Sequence, residues 1–267
     1  MTDAVLQSLD RGVLTVTLNR PERRNAMSPE LCDALPGILA RAADDAGVRT
    51  VLLTGAAGTF CVGGDVGAMN KGDGTAPPEA ETLEQATARL RRWVEASRLL
   101  HAMPKPTVAA VEGAAAGAGL SLALACDFRV VARGAKLTTA FARVGLSGDY
   151  GGSWFLTRLI GPARARDLYL LPRVLTGEDA DRLGLVSRLV DDGAALDEAQ
   201  ALARQLADGP PETLAAMKAN LNLAEQGSLA DLLDVESARH MASARTAEHR
   251  EAVAAFTQKR TPNFGAA

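Results

Sequence analysis

Aromatic residues, cysteines and histidines are all scarce in this chain. Only 4% of its 267 residues are aromatic, so leucine, valine and alanine have to supply the core. The three cysteines, Cys32, Cys61 and Cys126, are scattered and form neither a CxxC pair nor an even-numbered disulfide framework, a pattern typical of a reduced compartment. The three histidines also lie far apart in the sequence, which predicts no zinc or other metal site.

Strong charge bias and long apolar runs are missing too. The formal net charge is -3, and without a basic stripe interleaved with aromatics nothing points to a nucleic-acid partner. The most apolar stretch, residues 108–126, is interrupted by Glu112 and by glycines, which argues against a bilayer span and for closely packed backbone. We therefore expect a cytoplasmic protein with neither nucleic acid nor a membrane as its partner.

Strand and helix patterns alternate along the first two thirds of the chain. Alternating apolar residues predict a strand over Val13–Leu18, and short apolar runs predict buried strands at residues 51–53 and Thr107–Val111. This alternation with helical patterns favours an α/β architecture. After residue 161, helical patterns dominate, at residues 162–171, 178–183, 196–206, 211–225 and 229–259. We predict an α/β core over residues 1–195 and a helical region over residues 196–267.

The stretch before the second buried strand holds two further predictions. Residues 67–78 contain three glycines and two prolines, a composition that predicts a mobile loop. Leucines at helical spacing then predict one helix over residues 79–102.

Three glycine-rich segments could carry chemistry, and each also has an ordinary structural explanation. The first, residues 58–65, follows a strand and ends in Gly63-Gly64-Asp65; paired glycines can expose backbone N–H groups to a ligand or simply form a turn. The second, residues 113–119, precedes a short apolar helix. Small residues at a helix start leave N–H groups free to bind negative charge, or allow close strand–helix packing.

The third segment places Asp149 among four glycines and beside two aromatic residues. Burial between apolar walls would raise the pKa of this carboxyl and suit it to proton transfer near neutrality. The alternative is an ordinary turn aspartate or a cap for a helix that begins at residues 151–153.

A serine hydrolase is a competing interpretation of the second segment. Residues 119–123, Gly-Leu-Ser-Leu-Ala, differ from the Gly-x-Ser-x-Gly nucleophile elbow at the final position. The segment follows a glycine turn rather than a clear strand, and His240 and His249 lie in a polar helical pattern that is a poor place for a triad base. Ser121 is better explained as a small residue on a buried helix face.

Taken together, the three segments resemble the signatures of the crotonase (enoyl-CoA hydratase/isomerase) family. Residues 60–65, residues 104–127 and residues 145–152 match its three glycine-rich elements in order. Residues 19–27, 175–186 and 256–260 extend the resemblance over nearly the whole chain. The resemblance implies an α/β, crotonase-like spiral of ββα units with a C-terminal helical trimerisation region, assembled as a homotrimer or homohexamer.

The same resemblance implies roles for individual residues. The backbone N–H groups of Gly64 and Ala118 are expected to form an oxyanion hole for a coenzyme A thioester, and each such donor can contribute roughly 3–4 kcal/mol of transition-state stabilisation. The substrate is a small-molecule acyl-CoA, and no separate cofactor is implied. Positions that correspond to substrate and CoA contacts in the family are Arg24, Ala26, Gly63, Asp65, Val66, Gly67, Ser121, Phe141, Phe256 and Lys259.

Two departures from the family pattern bear on the reaction. Hydratases of the family use two glutamates, and the corresponding positions here hold Ser121 and Phe141, which cannot orient and deprotonate water as two carboxylates would. Asp149 instead stands where isomerases of the family have one working carboxylate. We therefore expect double-bond isomerisation with a single acid/base aspartate. The alternatives are an enoyl-CoA hydratase of fatty-acid degradation, an aryl-CoA dehalogenase-like enzyme with a nucleophilic aspartate, and a non-catalytic acyl-CoA-binding homologue.

Overall fold

Two β-sheets lie at the centre of the computed structural model, which describes residues 3–69, 75 and 81–265. Six of the strands within these residues form one sheet in the order β1-β2-β3-β4-β6-β9, and three form a second in the order β5-β7-β8. The strands are β1 Val5–Asp10, β2 Val13–Leu18, β3 Thr50–Gly55, β4 Thr107–Val111, β5 Ala114–Ala116, β6 Phe128–Ala132, β7 Lys136–Thr138, β8 Leu175–Thr176 and β9 Arg188–Val190.

The six-stranded sheet is parallel apart from its first hairpin. β1 and β2 pair antiparallel around Arg11 and Gly12, both at positive φ (45° and 78°), as a two-residue hairpin turn requires. β2, β3, β4, β6 and β9 pair in parallel. β3 and β4 are buried along nearly their whole length, because helices cover both faces of this part of the sheet.

The helices follow the predicted alternation with the strands. They are α1 Pro29–Asp44, α2 Val66–Met69, α3 Leu83–Trp93, α4 Glu95–Ala102, α5 Ala118–Ala125, α6 Gly152–Leu170, α7 Gly177–Arg182, α8 Ala195–Ala207, α9 Pro211–Ala224, α10 Leu229–Ser243 and α11 Ala247–Gln258. The start of α1 is capped: the Ser28 side chain accepts a hydrogen bond from the Leu31 N–H, and Pro29 occupies the first turn.

The core has one part on each face of the large sheet. The larger part packs α1, α4, α5 and α6 against one face and includes Leu53, Val111 and Leu122, all fully buried. The smaller part packs α8 against the other face, with Ala199 and Ala203 on Leu52. The chain therefore still adds a helix to the sheet after residue 195, and the division at that residue stays a prediction.

Three predicted segments differ from the structure. The helix expected over residues 79–102 is two helices that meet at Val94, with residues 79 and 80 outside the described part. The helix expected over residues 229–259 is also two, separated by residues 244–246. Of the loop predicted over residues 67–78, the first three residues belong to α2, and most of the rest lies outside the described residues.

The last three helices pack partly on one another. The Glu248 carboxylate of α11 accepts hydrogen bonds from the N–H groups of Glu212 (2.8 Å) and Thr213 (3.0 Å), so it satisfies free donors at the start of α9. Among the described residues, no helix is both long enough and apolar enough to cross a bilayer.

Candidate active site

The first two glycine-rich segments lie side by side. Cys61 and Ala115 form a parallel bridge, in which the Cys61 N–H donates to the Ala114 oxygen and the Ala116 N–H donates to the Cys61 oxygen, both at 2.9 Å. These bonds join the end of the β3 connection to β5. The predicted proximity of the two turns is therefore present in the fold.

Their backbones approach closely enough to exclude side chains. A Cβ on Gly63 would lie 2.7 Å from the Ala116 oxygen and 3.5 Å from the Ala118 nitrogen, and a Cβ on Gly119 would lie 2.3 Å from the Cys61 oxygen. Only glycine fits at such distances. Within the described residues, neither the Gly64 N–H nor the Ala118 N–H donates to a protein oxygen. Two neighbouring main-chain donors thus remain available to a ligand.

The start of α5 presents the second donor. Gly117 precedes the helix at φ 50° and ψ -122°, a conformation that a residue with a Cβ rarely adopts. Helical bonding begins with the Ser121 N–H on the Gly117 oxygen at 3.0 Å. Ala118 is therefore the first residue of the helix, where N–H groups lack intrahelical acceptors and negative charge is favoured.

Asp149 lies on a strained loop in front of α6. Gly148, Tyr150 and Gly151 all have positive φ (108°, 50° and 74°), and Tyr150 is the residue type least suited to it. Its ring is nonetheless buried, and its hydroxyl donates to the Cys32 sulfur at 3.5 Å. The anchored ring holds the loop in this conformation.

The Asp149 carboxyl is half-buried and does not cap the helix. The first residues of α6 receive no side-chain cap, so the capping alternative for Asp149 is wrong. Its Oδ1 atom is buried without a hydrogen-bond partner among the described residues. Burial raises the pKa of Asp149 to about 6, because the charged form loses hydration without gaining a compensating bond.

Asp149 faces groups that stay neutral near physiological pH. Burial, with a smaller contribution from the Asp149 charge, raises the pKa of Cys32 and of Cys61 to about 12. A Cβ on Gly152 would lie 2.4 Å from the Ser121 hydroxyl oxygen, so the end of the Asp149 loop packs against α5, the helix that follows the second segment. The third glycine-rich segment therefore meets the first two at one site.

Aromatic and hydroxyl side chains form one wall beside Asp149. Phe141 stacks on Tyr169 with ring centroids 5.9 Å apart, and a Cβ on Gly117 would lie 3.6 Å from the Phe141 ring. The Ser121 hydroxyl donates to the Gly117 oxygen at 3.2 Å. No histidine forms a hydrogen bond with this buried serine within the described part of the chain, which removes the support for a serine-hydrolase triad.

The segment expected to hold CoA is organised by ion pairs and by a buried amide. The Asp65 carboxylate lies 3.4 Å from Arg20 and 3.5 Å from Arg23, so its charge already has partners. The buried Asn25 side chain donates to the Ala56 oxygen at 2.9 Å and the Thr59 oxygen at 2.6 Å. These bonds attach the loop after β2 to the connection after β3.

The remaining predicted contact residues are distributed over that loop and α2. Arg24 is exposed at φ 50°, whereas Ala26 is buried and its oxygen accepts from Arg20 at 2.6 Å. Val66 and Gly67 are exposed in α2. All four lie within a few residues of the bonds that join the loop to the Gly63–Gly64 turn.

Phe256 and Lys259 are separate from this group. Phe256 is 84% exposed on α11, and Lys259 is exposed at its end. The Lys259 ammonium makes no hydrogen bond with the described pocket residues of its own chain. Their assignment to CoA binding stays a prediction.

The site contains residues that the sequence did not indicate. Met69 lies over Gly64, since a Cβ on that glycine would be 2.5 Å from the Met69 methyl carbon. Tyr169 reaches the Asp149 loop from the far end of α6. The anchoring Cys32 comes from α1. No motif marks these residues, because each depends on tertiary packing.

Comparisons with known proteins agree with this arrangement. The family model described as enoyl-CoA hydratase/isomerase matches residues 8–267. A 1,2-epoxyphenylacetyl-CoA isomerase from Escherichia coli is 41% identical over 99% of both chains. A probable enoyl-CoA hydratase from Rhodobacter capsulatus is 36% identical over 96% of this chain and 95% of its own.

Solved structures give the same result at the level of the fold. An enoyl-CoA hydratase from Polaromonas sp. JS666 superposes with a TM-score of 0.90 at 35% identity, covering 97% of this chain and 98% of its own. A putative enoyl-CoA hydratase from Streptomyces coelicolor A3(2) superposes with a TM-score of 0.91 at 34% identity, covering 99% of this chain and 94% of its own. The predicted crotonase-like α/β fold is confirmed, and the chain belongs to the enoyl-CoA hydratase/isomerase family of enzymes.

Proposed function

We propose that the protein isomerises the double bond of an unsaturated or ring-derived acyl-CoA, with Asp149 as its single acid/base group. The observation that carries this proposal is a half-buried carboxyl of raised pKa beside two backbone N–H groups that have no protein acceptor among the described residues. A pKa of about 6 leaves the carboxylate ionised at neutral pH, yet makes it basic enough to exchange protons.

The mechanism needs one carboxylate and one oxyanion site. The Asp149 carboxylate removes a proton from C2 of a 3-enoyl-CoA, and the electrons move onto the thioester oxygen. The N–H groups of Gly64 and Ala118 stabilise the resulting dienolate. Asp149 then returns the proton to C4, which leaves the 2-enoyl-CoA and restores the carboxylate. Each main-chain donor of this kind can stabilise the transition state by roughly 3–4 kcal/mol.

Isomerisation is favoured over hydration by the residues that surround the site. Ser121 donates its hydrogen to a backbone oxygen, and Phe141 presents a ring stacked on Tyr169. Neither can act as the second carboxylate that two-glutamate hydration requires. The name of the Escherichia coli relative, an isomerase of an aromatic-derived CoA ester, supports the same class of reaction for this chain.

We further propose that the helical region assembles the chain into a homotrimer or homohexamer. Apolar residues of α9 and α10 are exposed in the single chain, with Met217 at 55%, Leu221 at 69% and Leu229 at 72%. An exposed apolar surface of this kind marks a contact with another protein. A neighbouring subunit would also bring Phe256 and Lys259 to the CoA site.

The proposed reaction is tested by the Asp149→Asn variant with 3-hexenoyl-CoA as substrate. The amide matches the carboxyl in size but cannot accept a proton, so we expect kcat to fall by about 10²- to 10⁴-fold. Conversion to the 2-enoyl isomer is followed by the absorbance of the conjugated thioester. A parallel panel of 2-enoyl-CoA and aryl-CoA esters, with product identification, distinguishes isomerase from hydratase and dehalogenase activity.

The matched control is Asp33→Asn, which makes the same chemical change in α1. Asp33 accepts a hydrogen bond from the Trp93 indole at 2.6 Å, so its variant measures the effect of losing a structural carboxylate. Undiminished turnover of Asp149→Asn, or an equal loss in both variants, contradicts the assignment.

A further inference from the structure

Tyr169 brings a second functional group to Asp149, from the end of α6. A Cβ on Gly152 would lie 2.7 Å from the Tyr169 hydroxyl, and a Cβ on Gly148 would lie 3.1 Å from it. The hydroxyl is therefore next to both glycines that border the Asp149 segment. The absence of side chains at these two positions gives the phenol its space.

Both Asp149 and Tyr169 hold a polar atom whose bonding is incomplete. The Tyr169 hydroxyl oxygen and Asp149 Oδ1 are each buried without a hydrogen-bond partner among the described residues. A buried polar atom without a hydrogen-bond partner is unfavourable, because its lost hydration is not replaced. Two such atoms in one small region indicate that their hydrogen bonds form when substrate is bound.

The charge on Asp149 also acts on the phenol. Burial, and next the charge of Asp149, raise the pKa of Tyr169 to about 12, against smaller opposing contributions from the backbone N–H and the side chain of Ser153, which lie near the phenol oxygen without full hydrogen-bond geometry. Tyr169 thus stays protonated throughout the working pH range. It is a permanent hydrogen-bond donor beside a carboxylate that has an unused acceptor.

We propose that Tyr169 is a positioning residue for Asp149, and that its hydroxyl donates to Oδ1 in the substrate complex while Oδ2 exchanges the proton. Rotation of the carboxyl about its last side-chain bond, a soft torsion, brings the two atoms together. The inference rests on the proposed role of Asp149 as acid and base. A bond to one oxygen fixes the plane of the carboxylate and so the direction of the reactive oxygen.

The other titratable groups near Asp149 do not ionise in this range. From α1 comes Cys32, from the β3 connection Cys61, and from the loop itself Tyr150; burial raises the pKa of each well above neutrality. Burial is the one influence that shifts the pKa of Asp149 itself, and no described cation contributes. The acidic limb of the pH profile therefore reports Asp149.

The test is Tyr169→Phe, which keeps the ring stacked on Phe141 and removes the hydroxyl alone. Loss of a donor to the ionised carboxylate raises the pKa of Asp149. We expect the acidic limb of kcat against pH, which reports the substrate complex, to move up by about one pH unit. We expect kcat at high pH to fall by up to about tenfold and KM to stay within about twofold, with 3-hexenoyl-CoA as substrate.

Tyr150→Phe is the matched control, because it removes the hydroxyl of the chain's other tyrosine, which is bonded to Cys32. We expect the acidic limb of kcat against pH for this variant to stay at the wild-type position. An unmoved limb in Tyr169→Phe, or an equal shift in both variants, overturns the inference.

The Asp149→Asn variant separates the two proposals. If it is inactive while the limb of Tyr169→Phe is unmoved, only the role of Tyr169 fails. If it retains full turnover, the proposed reaction fails and the role of Tyr169 fails with it. Thermal unfolding of Tyr169→Phe confirms that its activity is measured on folded protein.

Discussion

The properties that suit Asp149 to proton transfer also make it unfavourable for folding. Its pKa is raised from 3.8 to about 6 in the folded chain, so folding weakens its acidity. A group whose folded pKa is raised contributes stability that is fully present below its unfolded pKa and is lost as the pH rises through its folded pKa. The loss therefore develops between about pH 4 and about pH 6 and is complete above the folded pKa.

This linkage predicts that Asp149→Asn stabilises the protein in a pH-dependent way. The amide has no charge to bury, so the free energy of unfolding at pH 8 should exceed that of the wild type by on the order of 1–3 kcal/mol. At about pH 3, below the unfolded pKa, where the carboxyl is largely protonated in both the folded and the unfolded chain, the difference should nearly vanish. Urea unfolding of both proteins at the two pH values measures it. An equal difference in the free energy of unfolding at the two pH values would show that charge burial is not the cause.

Residues differ in how far the sequence can predict them. Asp149 could be proposed because glycines and aromatics surround it in the sequence, and Gly64 and Ala118 because their glycine-rich turns resemble the elements of the family. Tyr169 and Met69 carried no comparable signal. A helical tyrosine twenty residues after Asp149 reaches the glycines around it only because α6 and its kink at Gly161 (φ 77°) place it there.

At the scale of elements, the site depends on how closely α5 approaches the segment that ends β3. Gly119 is in the first turn of α5, directly against the backbone oxygen of Cys61. This contact and the Cys61–Ala115 bridge set the separation between the Gly63–Gly64 turn and Ala118. A change that separates them should affect both folding and the proposed oxyanion hole.

Gly119→Ala is predicted to be strongly unfavourable. Its Cβ would lie 2.3 Å from the Cys61 oxygen and 2.7 Å from the Cys61 Cβ, so the segments must move apart. Overpacking of this kind costs typically 1–3 kcal/mol, and we also expect kcat to fall by at least about tenfold as the donors separate. Urea unfolding and steady-state kinetics measure the two effects.

The matched control is Gly37→Ala in the middle of α1. A Cβ there meets only the end of the Arg41 side chain, at 3.5 Å, and alanine favours a helix by about 0.5–1 kcal/mol over glycine. This variant should be as stable as the wild type or more so, with unchanged kinetics. Similar behaviour of the two variants would refute the packing argument.

The two predicted helices that are each divided in the structure share one cause. The breaks at Val94 and at residues 244–246 contain neither proline nor glycine. The helical pattern of the sequence therefore continues across each break and predicts a single helix. The second break is a helix start, where the Thr246 hydroxyl accepts from the His249 N–H at 3.1 Å. Short strands such as β5 and β8 were missed as well, because two or three residues are too few to show a period.

At the scale of the molecule, the helical region is attached to the core by buried polar contacts. Lys218 of α9 is 7% exposed and donates to the Leu100 and Lys105 oxygens (3.0 Å each) and to the Asp127 carboxylate (2.8 Å). A buried charge needs such complete pairing. This anchor fixes α9 to the core, while the apolar side chains of Met217 and Leu221 stay exposed in the single chain.

Assembly through that apolar side is the prediction that concerns the whole molecule. Met217 and Leu221 lie four residues apart on α9, hence on one face of the helix, and we expect native protein at three or six times the 27.8 kDa chain mass. Met217→Glu with Leu221→Lys places a favourable i,i+4 pair on the helix but puts charge into an apolar contact. Analytical ultracentrifugation should then show a shift toward single chains.

A control pair tests whether the position, rather than the added charge, is responsible. Leu83→Glu with Thr87→Lys introduces the same spacing on α3, where both residues are exposed, and should leave the assembly intact. If a neighbouring subunit brings Phe256 and Lys259 to the CoA site, as we propose, the α9 variant should also raise KM for the thioester. An α9 variant that keeps the native mass would place the contact between chains elsewhere on the molecule.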